Sequence, residues 1–322
     1  MSTAPIEEEG SFVIRPAQSA EEVSQLWWPL MKKLGWNRDH DDALTHFRAA
    51  RNGKNWLMVV PKETGKPEGC IVAFTYPNST GWVGYFIMNT PFRGRGLGAA
   101  LFKDLLSSFQ ASNTTYLGLD GVEEQANTYN RRGFEVTAKI PLVTRPSLKE
   151  KPTSIDMVPI GTEERIMDIK VIDPESLAQV DLAHTGFYRP AYWSQEGLLS
   201  RKDAYGYALL STAPGESRLV GYILVRRCEQ GHRFGPLYAE TYAQALLLLH
   251  TAMKNIAHKE GTMIAEIFGS NPNGIKVFED LGWTWAGVDY NRMWRGGRVP
   301  NEQQEGGKGT TGMFAIFDAC AG

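Results

Sequence analysis

Phe92-Arg93-Gly94-Arg95-Gly96-Leu97-Gly98-Ala99 is the stretch on which the reading of this chain turns. It follows a strand-like run, Trp82 to Met88, by way of Asn89-Thr90-Pro91, and it opens onto an apolar-periodic helix, Leu97 to Phe109. The first N–H groups of a helix have no partner inside it, and the macrodipole adds positive potential there. Gly96 and Gly98 remove Cβ atoms, so the backbone can close around phosphate oxygens. Arg93 and Arg95 add two charged donors suited to a diphosphate. A strand, a glycine turn and a helix in this order predict an anion site made largely of main chain.

Upstream, Phe12 to Arg15 reads as a strand. A helix from Ser19 to Leu34 follows, capped by Ser19 and ended by Gly35, then a second helix over Asp39 to Arg51. Trp56 to Val60, Cys70 to Phe74 and Trp82 to Met88 are strand-like runs separated by turn residues, which predicts an antiparallel meander. Downstream, Tyr116 to Asp120, a short helix near Glu124 to Arg132 and a strand from Phe134 to Val143 predict a parallel crossover onto that meander.

Pro146 to Ser154 is polar and bracketed by prolines, so it is the expected linker, with one domain over 1–146, the linker over 147–154 and a second domain over 155–322. Past it the same order recurs: a helix near Glu175 to Ala183, strands at Tyr207 to Ser211 and Leu219 to Arg227, a helix from Thr241 to His258, a strand at Met263 to Phe268 and a helix at Asn273 to Leu281. A Gly-aromatic pair follows the short helix in each half, Gly133-Phe134 and Gly282-Trp283. A duplicated fold of mixed-sheet α/β type is expected.

At 322 residues and a formal charge of -2, the chain has no overall pull toward nucleic acid or an anionic membrane, so neither is an expected partner. Cys70, Cys228 and Cys320 are odd in number and far apart, with no metal spacing and no disulfide framework, and free thiols are expected. No metal is expected. Met1 to Gly10 is acidic and lacks the pattern of a secretory signal. The longest apolar run, Ala243 to Met253, falls short of the roughly 20 residues that span a bilayer. A cytoplasmic monomer or homodimer is the expectation.

Arg93-x-x-Gly96-x-Gly98 after an aromatic-rich strand, with Tyr129-x-x-x-Gly133-Phe134 downstream, resembles the two signatures of the GNAT (N-acetyltransferase) superfamily over residues 11 to 145. The phrase from Leu119-Asp120-Gly121 to Gly133-Phe134 resembles tandem GNAT proteins whose second half is a YitH/HolE-like domain. Arg227-Cys228, Phe234 to Glu240, Asn291-Arg292-Met293-Trp294-Arg295-Gly296 and Phe314-Ala315-Ile316 are similar to phrases of that second domain. The resemblance implies two tandem GNAT-like acyl-CoA N-acyltransferase domains. It implies acetyl-CoA as cosubstrate and direct transfer of the acetyl group to a primary amine of a small molecule.

By that resemblance Ile87, Met88, Asn89, Arg93, Gly94, Arg95, Gly96, Leu97, Gly98, Ala99 and Tyr129 hold the cofactor. Backbone N–H groups near Met88 and Asn89 polarise the thioester carbonyl, and Tyr129 is the acid for the departing thiolate. Two departures stand out: Val122 occupies a place where many GNAT proteins carry Asn, and the second half has Gly235-Pro236-Leu237-Tyr238 where a second phosphate loop would be. Pro236 lacks an N–H, so one cofactor per chain is expected.

The general base stays open among Asp120, Glu123, Glu124 and a water relay. Tyr238, Glu240 and Glu266 are candidates for acceptor contact. Trp193, in the loop-like aromatic run Phe187 to Trp193, is a candidate acceptor wall. Gly306 to Gly312 reads as a flexible surface loop. Two other classes compete. Gly94-x-Gly96-x-x-Ala99 with Asp120 on the next strand also fits an NAD-dependent oxidoreductase, although five residues separate Met88 from Gly94. A non-catalytic acyl-CoA-binding regulatory protein is the third reading.

Overall fold

A computed structural model describes residues 10–153, 155, 157–213 and 218–322. The acidic segment Met1 to Glu9 and Ser154, the end of the expected linker, lie outside the described residues. Two compact units are present: one runs to Leu117 and takes in Ala321, the other is Gly118–Cys320 with Gly322.

In the first unit, β1 (Phe12–Pro16), α1 (Ala20–Leu34) and α2 (Asp42–Ala49) precede β2 (Trp56–Pro61), β3 (Gly69–Thr75) and β4 (Thr80–Met88). The four strands pair in order as an antiparallel meander, as the sequence predicts. The Ser19 hydroxyl accepts from the Glu22 amide at 3.1 Å, and Gly35 closes α1 in the left-handed conformation. The helix α2 starts later than Asp39, because the Asp39 carboxylate accepts from the Asp41 amide at 2.9 Å and offers the backbone a turn instead. Then α3 (Leu97–Ala111) lays Leu97, Leu101, Phe102, Leu105 and Phe109, all buried, over the sheet.

The division between units falls inside β5 (Tyr116–Val122), which is followed by α4 (Ala126–Asn130) and β6 (Phe134–Arg145). The second half brings β7 (Glu164–Asp168), α5 (Pro174–Thr185), α6 (Pro190–Trp193), β8 (Tyr205–Ser211), β9 (Arg218–Cys228) and β10 (Gly231–Ala239). It ends with α7 (Tyr242–Asn255), β11 (Thr262–Glu266), α8 (Gly274–Glu279), β12 (Thr284–Arg295), α9 (Lys308–Gly312) and β13 (Met313–Ala315). From β1 to β6 and from β7 to β12 the element order is the same, so the duplication holds element by element. β10 and β11 are parallel, joined by α7, whose Thr241/Gln244 capping box fixes its start.

The sequence halves and the compact units do not coincide, and strand exchange is the reason. In the second unit the order is β5-β12-β6-β11-β10-β9-β8-β7. The last strand of the second repeat, β12, enters between β5 and β6 of the first, antiparallel to both, and β6 in turn pairs with β11. Both faces of β6 and β12 as ladders are thereby used up, which leaves neither as an open sheet edge.

The segment Gly306 to Gly312 is not the flexible loop its composition suggests. Lys308–Gly312 is a helical turn, and Gly309 and Gly312 are buried. A Cβ on Gly309 would collide with the His184 carbonyl oxygen and come within 2.7 Å of the Glu302 carbonyl oxygen. Glycine is present because two backbones touch, so Gly309→Ala should cost about 1–3 kcal/mol of stability. A urea melt monitored by tryptophan fluorescence reads this directly, and an unchanged midpoint would mean that the segment yields freely.

Candidate active site

In the first unit β4 hands the chain to a 3-10 turn over Thr90–Phe92 and then to the glycine loop. Gly94 and Gly96 hold φ of 79° and 87°, and Gly96 is the residue from which α3 starts. Among the described residues, the N–H groups of Gly94, Gly96, Leu97 and Gly98 have no acceptor. Gly98 also lets α3 sit against Phe86, whose ring a Cβ there would meet at 3.2 Å. Ala99 already belongs to the helix, its amide bonded to the Gly96 carbonyl at 3.0 Å.

The two arginines are organised differently. Arg93 donates from Nε to the Met88 carbonyl at 3.0 Å, which ties the loop back to the strand end. Arg95 pairs with Glu63 at 2.8 Å and lies over the Phe92 ring. The Glu63 carboxyl is held below its usual range by that guanidinium.

At the strand end, the Asn89 amide donates to the Glu68 carbonyl at 2.8 Å and the Asn89 side chain to the Glu68 carboxylate at 2.7 Å. Asn89 is therefore committed to β3 and does not offer the carbonyl-polarising N–H expected of it. Alternation along an antiparallel ladder then turns the amide of its neighbour Met88, paired with Gly69, away from β3, while Ile87, paired with Cys70, faces it. Of the amides at this strand end, that of Met88 is the one turned away from β3.

In the second unit, Tyr129 sits on α4, buried, with its ring against Gly121 and edge-on to Phe134 at 6.4 Å. Burial, with Cys320 nearby, pushes its phenol up to about 12, so the hydroxyl keeps its proton throughout the neutral range. The Asp120 side chain is fully buried and accepts from Arg292 Nε at 2.9 Å and Nη2 at 2.7 Å. Burial drives the Asp120 carboxyl up to about 6 against the pull of that guanidinium. Arg292 continues through Nη1 to Gln303 at 3.1 Å, and Gln303 donates to the Thr185 carbonyl at 2.7 Å. Glu123 is exposed, and hydrogen bonds from Asn291 at 2.9 Å and Lys139 at 3.1 Å hold its carboxyl low. Glu124 is exposed on the same turn.

The acceptor candidates of the second half do not gather around one opening. Trp193 Nε1 and the Tyr238 hydroxyl both donate to Asp181, at 3.0 and 2.7 Å, and Asp181 also takes two bonds from Arg189. All four residues are buried, so the aromatic run forms α6 and a closed polar network instead of a loop-borne acceptor wall. Glu266 is buried too, bound to Arg233 at 2.5 Å and to the Ala319 amide at 2.8 Å. Glu240 pairs with Arg218 at the surface. His184 stacks on Tyr238 at 4.7 Å, and burial lowers it to about 4, so it stays neutral.

The place in the second repeat that would answer to the cofactor cleft is filled from within. β10 and β11 pair only as far as Phe234 and Ala265. Beyond that point β13 pairs with β10 at Leu237 and Tyr238, and Ala315 also bridges Ile267 just past β11. The chain's own strand lies where β10 and β11 part, a second obstruction beside the Pro236 that the sequence showed.

Sequence reasoning missed Arg292, Asp181 and the buried Arg226–Asp318 pair at 2.7 Å. Arg292 stood in a phrase singled out only by resemblance; its partner is 172 positions away, and no local signal links the two. A cavity of about 670 Å³ opens beside Arg292, its walls including Phe268, Trp294, Ser270 and Ala138. No group of three or more metal-ligating side chains occurs among the described residues.

Residues 20–134 match the Acetyltransferase (GNAT) family, and residues 196–306 match a second Acetyltransferase (GNAT) domain. Over 310 residues the chain is 24% identical to Holothin acyltransferase of Pseudoalteromonas sp. (strain SANK 73390), covering 93% of each. A protein of Pyrococcus horikoshii assigned to the acetyltransferases shares the fold with a TM-score of 0.73 at 17% identity, over 98% of both chains. A tandem GNAT protein from the clavulanic acid biosynthesis pathway aligns with a TM-score of 0.61 at 16% identity, over 88% of this chain and 97% of that one. The oxidoreductase reading falls here, and Asp120 shows why its fingerprint was deceptive: both carboxylate oxygens that would meet a ribose are held by Arg292. The regulatory reading yields to an acyltransferase as well. The chain belongs to the GNAT acetyltransferase superfamily as a tandem of two GNAT domains, and it is an acyltransferase.

Proposed function

We propose that this protein transfers the acetyl group of acetyl-CoA to a primary amine of a small molecule, with the first repeat as the catalytic one. The observation that carries this is the row of N–H groups at Gly94, Gly96, Leu97 and Gly98, which meet no acceptor among the described residues at the start of a helix. Such donors suit a pyrophosphate. Arg93 is tied to the Met88 carbonyl, so the loop is held in shape before any ligand arrives. Ile87, Leu97 and Ala99 shape the strand end and first helical turn around it.

In the reaction a neutral amine nitrogen attacks the thioester carbon, the carbon–sulfur bond breaks, and the nitrogen loses a proton as the sulfur gains one. Met88 N–H is the donor for the carbonyl oxygen. Tyr129 is the donor for the sulfur. A phenol at about 12 is a weaker acid than a thiol near 8.5, so Tyr129 hydrogen-bonds the developing thiolate and relays a proton without surrendering its own for long. Asp120 has raised basicity but no uncommitted oxygen, and Glu123 has a free face but lowered basicity. Asp120 is accordingly a positioning residue for Arg292, and proton loss from the amine goes to water or to Glu123.

Titration calorimetry should find one acetyl-CoA per chain, since β13 occupies the second splay. Release of free thiol on addition of amines should then report turnover. Tyr129→Phe should lower kcat about 10- to 100-fold while leaving acetyl-CoA affinity unchanged. Absence of acetyl-CoA uptake by the intact protein would remove the proposal.

A further inference from the structure

The cavity of about 670 Å³ beside Arg292 lies wholly within the second unit, lined from β6, β12 and the segment from Val299 to Thr311. That volume takes a small organic molecule. Its floor is already closed. Each guanidinium nitrogen of Arg292 donates, Nε and Nη2 to Asp120 and Nη1 to Gln303, and Gln303 spends its own amide on the Thr185 carbonyl. The Phe268 ring stands 5.5 Å from the guanidinium. Phe268 and Trp294 are both buried, so they seal the floor and offer little surface of their own.

The walls are one-sided in their hydrogen bonding. On β6 the register shifts from Ala138 opposite Arg292 to Val136 opposite Met293, which leaves Thr137 as a bulge. Its hydroxyl donates to the Arg292 carbonyl at 3.4 Å. The Thr310 hydroxyl donates to the Gly307 carbonyl at 2.8 Å, and that of Thr311 to the Lys308 carbonyl at 3.3 Å. The Gln304 amide nitrogen donates to the Val299 carbonyl at 2.7 Å. Donors of the lining are thus spent on main chain, and each of these side chains retains oxygen lone pairs. Asp120 cancels the charge of Arg292, so the exposed Glu305 carboxylate is the one uncompensated charge of the lining. Ala138, Pro272 and Val299 add apolar surface between these oxygens.

A molecule that answers this lining brings N–H donors, a single positive charge and a compact apolar body. A carboxylate or phosphate would face lone pairs and Glu305, with no uncommitted cation. A polyamine would leave its further charges without partners in the cavity. We infer that the second unit carries a binding site for a compact, monocationic primary amine, held by the side-chain oxygens of Gln304, Thr310 and Thr311 and by the Glu305 carboxylate. Binding there needs neither the cofactor loop nor acetyl-CoA, and the bound amine is assigned no reaction.

The test is calorimetry on the full chain at low salt, without acetyl-CoA, using 2-phenylethylamine, 3-phenylpropanoate and spermidine. One 2-phenylethylamine should bind per chain, about tenfold tighter than 3-phenylpropanoate, which carries the same ring and the opposite charge. Spermidine should bind no tighter than 2-phenylethylamine. Glu305→Gln should weaken 2-phenylethylamine about three- to fivefold, the size an exposed ion pair gives, and remove most of its salt dependence. Ala138→Phe, which fills the cavity from a strand position, should weaken it about tenfold or more. Ser270→Phe fills it from the segment after β11 and serves if the first variant folds poorly. Equal or tighter binding of 3-phenylpropanoate, tighter binding of spermidine, or no saturable uptake of 2-phenylethylamine overturns the inference. So does an affinity unaltered by Glu305→Gln, or by both cavity-filling variants once they are shown to fold.

Discussion

Gly96→Val is expected to abolish measurable acetyl-CoA uptake while leaving the protein folded. Gly96 holds φ of 87° at the point where α3 begins. An L-residue in that region costs about 1–2 kcal/mol, and a β-branched one more, so the chain relaxes toward negative φ. That relaxation swings the Leu97 and Gly98 amides away from their common direction. A hydrogen bond from an amide to a charged oxygen contributes about 1.5–3 kcal/mol, so losing two weakens binding by more than about 100-fold. The helix survives because its buried face, Leu97 to Phe109, is untouched. Calorimetry paired with a thermal melt separates the two effects. A dissociation constant within threefold of the parent would show that the loop amides do not hold the cofactor.

Arg292→Met should be the most destabilising single change at the second site, at about 3–5 kcal/mol, because it strands a buried carboxylate. Asp120 is already raised to about 6 by burial with the arginine present. Without that partner its folded-state value climbs further, while the unfolded value stays near 3.9. A folded-state pKa above the unfolded one means that the folded form binds the proton more tightly, so stability rises as pH falls through that window. The penalty of Arg292→Met should thus be full at pH 8 and shrink toward pH 5, and Asp120→Asn in the same chain should recover most of it. Urea midpoints at several pH values measure this. A small, pH-independent loss would show that the pair is not what ties β5 to β12.

How much of this was legible beforehand differs from residue to residue. The loop was legible because everything it needs is local: glycines where φ is positive, a strand before and a periodic helix after. Tyr129 was legible for a similar reason, since a short helix closed by Gly133 sets it beside Phe134. The repeat could be seen in the order of runs, but β10 and the end of β12 were read only as phrases similar to a second GNAT domain and not as strands. Trp193 and Tyr238 looked like exposed acceptor contacts because aromatic composition does not say what a polar tip will meet. Asp181, 12 and 57 positions away from them, is what they meet.

Taken alone, the amino-acid order carried the superfamily in two short motifs, and it carried the two-repeat plan and the glycine turn before α3 in local periodicity and backbone preference. Tertiary structure decided the rest. It exchanged β12 into the first repeat's strands, filled the second splay with β13, paired Asp120 with Arg292, and opened a cavity beside that pair. These outcomes depend on burial and on contacts between residues far apart in the chain, as with Asp120 and Arg292, 172 positions apart. Desolvation converts an exposed-looking carboxylate or indole into a committed partner only once the chain has closed around it.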